Sequence, residues 1–318
     1  MLSYNGKTIM YNGTWTKPLP SGPMLRFQFT DTSYVPTDGT ASKAGDGVWI
    51  PIDPQRGIWD FYVNKTRGYY YLDNTFANRL TPTVLGQNNT CKIILSNDTG
   101  ELMYMSDAFL RCTSLTEVLC GFDFSGCFDP RGIFSGCTSL TNVTGPLDFS
   151  TLPLNYPSVS NLFTGCASLT TLPIINLTGV KSAGAMFSDC SSLVSVRLVG
   201  TGSLVDILHM FGGCTSLTAV PDSFDTSNVE NMNSAFAECT SLTSIPLLAT
   251  DKVTDIRGAF GGCTNVASGA LALYTQASSQ ANPPARYDWC FSNCGSDTVT
   301  GAAELAQIPT SWGGTLNA

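Results

Sequence analysis

The sequence contains a single histidine, His209, among its 318 residues, and only 13% of its residues are charged. One histidine excludes the ordinary histidine-rich metal site, and any Ser-His-Asp or Cys-His catalytic set would have to use it. Alanine, serine or glycine takes the equivalent place in other copies of the repeat described below. We therefore expect His209 to be a solvent-facing or packed residue.

Long apolar runs are also missing, so we expect no membrane-spanning helix and no membrane insertion. The first residues, Met-Leu-Ser-Tyr-Asn-Gly, have neither a basic start nor an apolar core and do not resemble a signal peptide. The formal net charge is −8. Because nucleic-acid binding depends on basic patches, DNA and RNA are excluded as expected partners.

The sequence has instead a repeated motif, Phe-x-x-Cys-x-Ser-Leu, first seen at Phe109, Cys112, Ser114 and Leu115. Copies of decreasing completeness follow at steps of 24 to 31 residues, and they begin at Phe134, Phe163, Phe187, Phe211, Phe236, Phe260 and Phe291. A fixed period in the twenties predicts a solenoid, in which each repeat forms one turn of a stack.

Each repeat is predicted to contain a short strand, a turn and a short helix that ends near the phenylalanine. Val229, Met232 and Phe236 occur at positions i, i+3 and i+7, and Cys239 extends the same stripe. Asp225, Thr226 or Ser227 could cap this helix. The predicted class is an α/β repeat solenoid of the leucine-rich-repeat type, with a parallel strand ladder and short helices, preceded by a small β-rich N-terminal domain.

The twelve cysteines allow two interpretations. They could form disulfides, or they could be free thiols buried in the core, where cysteine behaves as a small apolar residue. We favour free thiols, because equivalent positions of neighbouring turns lie further apart than a disulfide allows. On this interpretation Cys214→Ser lowers stability by about 1–3 kcal/mol, since it buries a hydroxyl without a partner.

Composition and turn signals divide the chain into four predicted parts. These are an attachment segment (1–23), a β-rich N-terminal domain (24–90), the solenoid (91–267) and a C-terminal cap (268–318). Strands are predicted at 25–29, 48–52, 59–63 and from Cys91, a helix near 302–306, and an insertion at 274–284. Trp15, Trp49, Trp59 and 69–71 could form a platform for sugars, but we favour packing in the core and the cap as their role.

The segments 210–217 and 225–232, Met-Phe-Gly-Gly-Cys-Thr-Ser-Leu and Asp-Thr-Ser-Asn-Val-Glu-Asn-Met, resemble the signature of the BspA-type leucine-rich repeat. The resemblance covers about residues 91–300. It implies a solenoid with strands on one face and short helices or 3-10 turns on the other, in a family of bacterial surface proteins implicated in adhesion. Residues 25–60 also resemble a pattern that precedes such repeats in gut Bacteroidales and phage-encoded proteins.

The sequence predicts no catalytic residues, no metal site and no cofactor. The Gly-Gly-Cys segments lack the Gly-Lys-Ser/Thr of a phosphate loop. Asp222 and Asp225 are a carboxylate pair such as a glycosidase uses, but capping of a turn explains them more simply. We therefore expect a protein that is not an enzyme.

Binding is expected on the outward positions of the strands, which form two rows along the solenoid. The first row is small and polar, and the second contains one arginine. The candidate ligand-binding residues are Glu117, Asn142, Thr171, Ser195 and Ser244 in the first row and Arg197 in the second. The same residues would also suit a solvated sheet face.

These features predict a surface-recognition protein at the surface of a phage virion, in its tail or as a decoration protein, that binds a bacterial surface glycan or protein. Residues 1–23 would contact other virion proteins, and association into a homo-oligomer is left open. The alternatives are a bacterial cell-surface adhesin of the BspA type and a polysaccharide depolymerase.

Overall fold

A column of stacked phenylalanine rings runs through the molecule. The computed structural model describes residues 10–11, 14–15, 24–36, 47–63, 65–66, 69–71, 76, 85, 90–96, 103–153 and 157–316. Within these residues the chain forms a β-solenoid with few helices, which confirms the solenoid predicted from the repeat period.

The strands of the described residues are short and form four sheets. They are Met10–Tyr11 (β1), Thr14–Trp15 (β2), Met24–Phe29 (β3), Gly47–Asp53 (β4), Ile58–Val63 (β5), Lys65–Thr66 (β6), Tyr69–Tyr71 (β7), Cys91–Ser96 (β8), Met103–Tyr104 (β9), Leu115–Gly121 (β10), Cys127–Asp129 (β11), Asn142–Thr144 (β12), Leu147–Asp148 (β13), Ile175–Asn176 (β14) and Leu198–Val199 (β15). The sheet orders are β1-β2, β12-β10-β8-β3-β5-β4, β11-β9-β7-β6 and β13-β14-β15. Four 3-10 helices occur at Pro54–Arg56, Phe124–Gly126, Thr201–Ser203 and Thr310–Trp312.

The phenylalanine of each repeat stacks on that of the next turn. Neighbouring ring centroids are 5.2–6.2 Å apart and their planes are within 15° of parallel, along Phe76, Phe109, Phe134, Phe163, Phe187, Phe211, Phe236, Phe260 and Phe291. This spacing is the one that offset aromatic pairs prefer. Phe76 was not predicted, because no cysteine follows it three residues later.

The residues around each phenylalanine do not form the predicted short helix. In a helix, each N–H group would donate to the carbonyl four residues earlier. The N–H groups of Ile207, His209 and Phe211 donate instead to carbonyls of the next turn, at Asn231, Asn233 and Ala235 respectively. The expected α/β class is therefore replaced by a β-solenoid whose turns bond to one another.

Left-handed residues explain why the helix does not form. The residue two before the phenylalanine has φ between 52° and 63° in Asp107, Gly132, Asn161, Ala185, His209, Ser234, Gly258 and Trp289. The residue two after it has φ between 54° and 75° in Arg111, Gly136, Gly165, Asp189, Gly213, Glu238, Gly262 and Asn293. Each repeat thus has two left-handed residues four positions apart, and an α-helix cannot continue through either of them. The buried residues still recur at helix-like spacings, so the sequence pattern fits both structures.

Seven of the eight repeat cysteines donate their thiol hydrogens to the phenylalanine carbonyl of the preceding turn. The Sγ–O distances are 2.9–3.2 Å for Cys112 to Phe76, Cys137 to Phe109, Cys166 to Phe134, Cys190 to Phe163, Cys214 to Phe187, Cys239 to Phe211 and Cys263 to Phe236. All twelve cysteines are free and buried. A hydroxyl at position 214 would therefore have an acceptor within reach, so the reason given above for the effect of Cys214→Ser is wrong.

The first strands of the chain join the sheet of the solenoid. Strands β3, β4, β5 and β8 confirm the predictions at 25–29, 48–52, 59–63 and Cys91. Strand β3 pairs antiparallel with β8, which pairs parallel with β10, so the predicted boundary at residue 90 lies within one sheet. The four-part division remains a prediction, and residues 1–23 lie outside the described residues except for β1 and β2.

Parallel strands are confined to the earlier turns of the described solenoid. Strands β8, β10 and β12 pair in parallel, and β13, β14 and β15 form a second parallel sheet. Later turns are joined by single bridges, such as Ser244 with Ser268, and by threonine hydroxyls, such as Thr243 Oγ1 donating to the carbonyl of Thr218 at 3.4 Å. The predicted strand ladder is therefore replaced by isolated bridges in these turns.

Two helices and an aromatic cluster lie at the C-terminal end of the column. Helix α1 spans Ala270–Ser278 and includes the start of the predicted insertion, and helix α2 spans Val299–Leu305 and confirms the helix predicted near 302–306. The ring of Trp312 stacks on that of Tyr287 at 4.5 Å and packs beside Phe291 at 6.4 Å. These rings cover the last phenylalanine of the column.

Gly165 and Gly184 allow the left-handed turns to be tested. A Cβ added at either glycine would lie at least 3.5 Å from its neighbours, but only Gly165 has a left-handed φ, +71°. Gly165→Ala is expected to lower the free energy of unfolding by about 1 kcal/mol, and Gly184→Ala to leave it unchanged or to raise it by about 0.5 kcal/mol. Urea denaturation measures both variants, and equal effects would contradict the assigned backbone conformation.

Replacements of Cys214 test whether its thiol acts as a donor. Cys214→Ala removes the bond to Phe187 and leaves a small cavity, with an expected loss of about 2 kcal/mol in the free energy of unfolding. Cys214→Ser keeps a donor, although its shorter bond reaches the carbonyl less well, and we expect a loss of about 1 kcal/mol. A serine variant that is less stable than the alanine variant would show that the thiol contributes only as an apolar group.

The buried thiols also make stability depend on alkaline pH. Burial raises the pKa of Cys214 from its ordinary value of 9.0 to about 12. Above pH 9 the unfolded chain releases this proton while the folded chain keeps it, so the free energy of unfolding falls as the pH rises toward 12.

The alkaline prediction is measured by thermal unfolding at pH 8 and above, followed by circular dichroism, together with the reaction of native protein with a thiol reagent. We expect the thermal midpoint to fall with rising pH and the native thiols to react only after unfolding. Rapid labelling of the folded protein near neutral pH would contradict thiol burial.

Candidate functional site

Three predicted binding residues are neighbours on the outward face of the six-stranded sheet β12-β10-β8-β3-β5-β4, which we call the main sheet. Glu117 of β10 pairs in register with Asn142 of β12, and Asn142 forms a bridge with Thr171 of the next turn. On the other side, Glu117 pairs with Lys92 of β8. The predicted first row is therefore continuous from Lys92 to Thr171.

A depression of about 390 Å³, which we call the Glu117 depression, lies on this face where the solenoid meets the N-terminal strands. Its polar lining includes Arg26, Gln28, Lys92, Glu117, Asn142 and Thr144, and its apolar lining includes Ile58, Ile94 and Leu119. Ile94 and Leu119 are 36% and 46% exposed, which is high for large apolar side chains. The lining can therefore contact both apolar and polar parts of a ligand.

Two ion pairs border the Glu117 depression. Arg26 donates from Nε and Nη2 to the carboxylate of Asp60 at 2.7 and 2.9 Å, and Asp60 is only 1% exposed. This bidentate pair fixes the guanidinium at the wall. Lys92 forms an ion pair with Glu117, and both side chains are nearly half exposed. Because an exposed pair contributes at most about 1 kcal/mol, its partners can be redirected toward a ligand.

Asn142 lines the Glu117 depression and has a buried side-chain acceptor. Its side-chain oxygen, Oδ1, is buried and accepts no hydrogen bond from the residues that the structure describes. A buried acceptor without a donor costs about 1–3 kcal/mol. A ligand hydroxyl or N–H group could remove that penalty only if the Asn142 side chain turned, because the oxygen has almost no accessible surface.

The other predicted site residues lie elsewhere. Ser195, Arg197 and Ser244 are exposed but do not line the Glu117 depression. Ser244 forms its bridge with Ser268 of the following turn. The structure therefore brings together Glu117, Asn142 and Thr171, and it leaves the remaining predicted residues spread along the solenoid.

Sequence reasoning missed the residues contributed by strands β3, β5 and β8. Arg26, Gln28 and Lys92 alternate with buried residues of their strands. In β3 these buried residues are Leu25, Phe27 and Phe29. That alternation indicates outward side chains. It could not show that β3 lies beside β8, because strand order is not encoded in the period of either strand.

The residues that the sequence offered as catalytic candidates, His209, Asp222 and Asp225, lie on the surface. His209 is exposed, with a left-handed φ of 54°. Asp222 and Asp225 are also exposed. The backbone N–H of Ser227 donates to Asp225 Oδ1 at 2.9 Å and lowers the pKa of that carboxyl, so Asp225 caps a turn, as predicted, although no helix follows.

The described part of the chain contains no group of three or more His, Cys, Asp or Glu side chains placed to hold a metal ion. None of the described helices is long and apolar enough to cross a membrane. Two members of the predicted aromatic platform belong to the core, since Trp49 packs against Phe27 and Phe61 and Trp59 is only 8% exposed. The side chains of Trp15 and of 69–71 lie outside the described residues.

The fold defines the class of this protein, a repeat protein whose turns stack as a β-solenoid. Residues 157–274 match a family model described as "Mycoplasma protein of unknown function, DUF285". The match covers a little over a third of the chain and lies within the repeats. Searches of curated proteins and of solved structures gave no match.

Proposed function

We propose that this chain is a non-enzymatic recognition protein that binds a glycan or protein of the bacterial surface through the outward face of its main sheet. In this proposal the chain belongs to the tail or the decoration proteins of a phage virion, and residues 1–23 attach it to other virion proteins. The observation that carries the proposal is the Glu117 depression, whose lining combines the exposed side chains of Ile94 and Leu119 with charged and amide groups.

The chemistry of the depression supports binding of a ligand with both polar and apolar surfaces. Leu119 and Ile94 offer exposed apolar area, Arg26 and Lys92 offer donors, and Glu117 and Asn142 offer acceptors. Ligand sites commonly combine an apolar lining with a few fixed polar groups. A sugar ring or a peptide segment has this combination of surfaces.

The resemblance to the BspA-type leucine-rich repeat supports a surface role, and the matched family model lies within the same repeats. Its description names a cellular source, Mycoplasma, and this favours a bacterial cell-surface adhesin as the second candidate. An adhesin would use the same outward face. The two candidates differ in where the chain is displayed.

A polysaccharide depolymerase has less support. Such an enzyme needs one carboxyl whose pKa is raised, so that it can donate a proton to the leaving oxygen. Within the pair considered from the sequence, Asp222 and Asp225, the hydrogen bond from Ser227 lowers the pKa of Asp225 instead. Release of reducing ends from a bound polysaccharide, abolished by Asp225→Asn, would reverse this preference.

The binding proposal is tested with Leu119→Arg and Val199→Arg. The two residues are 46% and 47% exposed, both lie on strands, and only Leu119 lines the Glu117 depression. We expect retention on whole bacterial cells and on printed capsular and lipopolysaccharide glycans to fall about tenfold for Leu119→Arg. Val199→Arg should bind as the unmodified chain does, and both variants should keep its thermal midpoint.

Equal binding by both variants would contradict the assigned surface, and absence of retention on every cell and glycan tested would contradict the recognition role. The place of display is tested separately by mass spectrometry. Peptides of this chain in purified phage particles would support the virion component. Peptides in the envelope fraction of uninfected bacteria would support the adhesin.

A further inference from the structure

A second depression, of about 410 Å³, is lined by residues of β11 and of the segments that precede Phe134, Phe163 and Phe187 in neighbouring turns. We call it the Phe128 depression, and its lining consists of Phe128, Asp129, Arg131, Ser158, Ser160, Asn161 and Ser182. The lining combines an aromatic ring, an ion pair, hydroxyls and an amide. None of these residues lines the Glu117 depression.

Asp129 and Arg131 form a bidentate ion pair at one side of the Phe128 depression. Arg131 Nε and Nη2 donate to the two carboxylate oxygens of Asp129 at 2.8 and 2.7 Å. The Arg131 side chain is 57% exposed, so its remaining N–H groups can donate to a ligand as well. The two charges balance, and Asp107, whose pKa is raised by burial and by the charge of Asp129, adds a further carboxyl nearby.

Three serine hydroxyls form a chain with a defined direction. Ser182 Oγ donates to Asp206 Oδ2 at 3.2 Å, because a carboxylate can only accept. Since that bond uses the hydrogen of Ser182, Ser160 donates to Ser182, and Ser158 in turn donates to Ser160, each at 2.9 Å. All three hydrogens therefore point toward Asp206. The serine oxygens offer the depression only lone pairs, which suit the hydroxyl donors of a ligand.

An aromatic ring completes the Phe128 depression. Phe128 is half-buried, and its ring stacks on that of Tyr104 with centroids 5.2 Å apart and planes within 17°. The C–H groups on one side of a pyranose ring pack well against an aromatic ring of this kind. The hydroxyls at the rim of the same sugar can reach polar groups that surround the ring.

Asn161 is held at the edge of the depression by its backbone. It has a left-handed φ of 60°, and its N–H donates to the carbonyl of Gly184 at 2.9 Å. Glycine adopts this conformation at least as readily as asparagine. Asn161→Gly therefore removes the amide from the depression and keeps the left-handed backbone, at the loss of the long hydrogen bond that Thr164 Oγ1 donates to Asn161 Oδ1 at 3.4 Å.

We infer that the Phe128 depression binds a neutral pyranose residue of an oligosaccharide, with the sugar ring against Phe128 and its hydroxyls on Ser158, Asn161 and Arg131. The inference rests on the proposed recognition function and assigns it a second contact site. A balanced ion pair gives no net attraction to an acidic sugar, so neutral sugars are favoured over uronic acids.

The test uses saturation-transfer difference NMR and titration with the methyl glycosides of glucose, galactose, mannose and N-acetylglucosamine, with methyl glucuronide as the acidic counterpart. We expect at least one neutral glycoside to bind and the glucuronide to bind more weakly. Asn161→Gly and Phe128→Leu should each weaken the neutral glycoside about fivefold. His209→Gly, at the equivalent left-handed position two turns later, should leave binding unchanged.

Thermal midpoints of the variants show whether they are folded, and Asn161→Gly is expected to keep the midpoint of the unmodified chain. Binding that Asn161→Gly and Phe128→Leu leave intact would overturn the assignment, as would a preference for the glucuronide or no binding of any glycoside. Retention on bacterial cells that depends on Leu119 is measured independently. A failure here therefore overturns the Phe128 site and leaves the proposed function standing.

Discussion

The hydrogen bond from a buried cysteine thiol to the phenylalanine carbonyl of the preceding turn is the contact on which this solenoid depends. Phe187 illustrates it, because its carbonyl accepts the N–H of Cys190 in its own turn and the thiol of Cys214 in the next. The phenylalanine N–H bonds forward to the following turn. Burying these groups without partners would be costly, so the bonds fix the register of each turn on the last. The stacked rings then follow from that register.

The interior contains the same residue types in each turn, so the residues that differ from one turn to the next lie on the surface. Both depressions lie where the regularity of the turns changes. The Glu117 depression lies where parallel pairing gives way to the antiparallel pairing of β3 with β8. The Phe128 depression lies at the irregular pairing of β9 with β11, beside the step of 29 residues from Phe134 to Phe163. At these two places the change in pairing accompanies a concave surface of the kind that a ligand needs.

The linings of the two depressions suit ligands of related chemistry. The exposed carboxylate of Glu117 in the first and the serine lone pairs in the second can accept hydrogens, while Arg26 and Arg131 donate beside them. Molecules that carry many hydroxyls can both donate and accept, and sugars also have apolar ring faces. A surface built on stacked repeats can repeat such contacts along its length. The proposed recognition of bacterial surfaces relies on this multiplicity rather than on a catalytic set.

The sequence by itself determined the period, the column of phenylalanines from Phe109 onward and the burial of the cysteines. Phe, Cys and Leu recur at fixed spacings, and only a stack buries them all. It did not determine the turns around each phenylalanine, since inward residues at i, i+3, i+4 and i+7 fit an α-helix as well as left-handed turns. Nor did it place Arg26, Lys92 and Glu117 together. Only the tertiary structure decided these features, because the hydrogen bonds between turns and the order of strands join residues far apart in the chain.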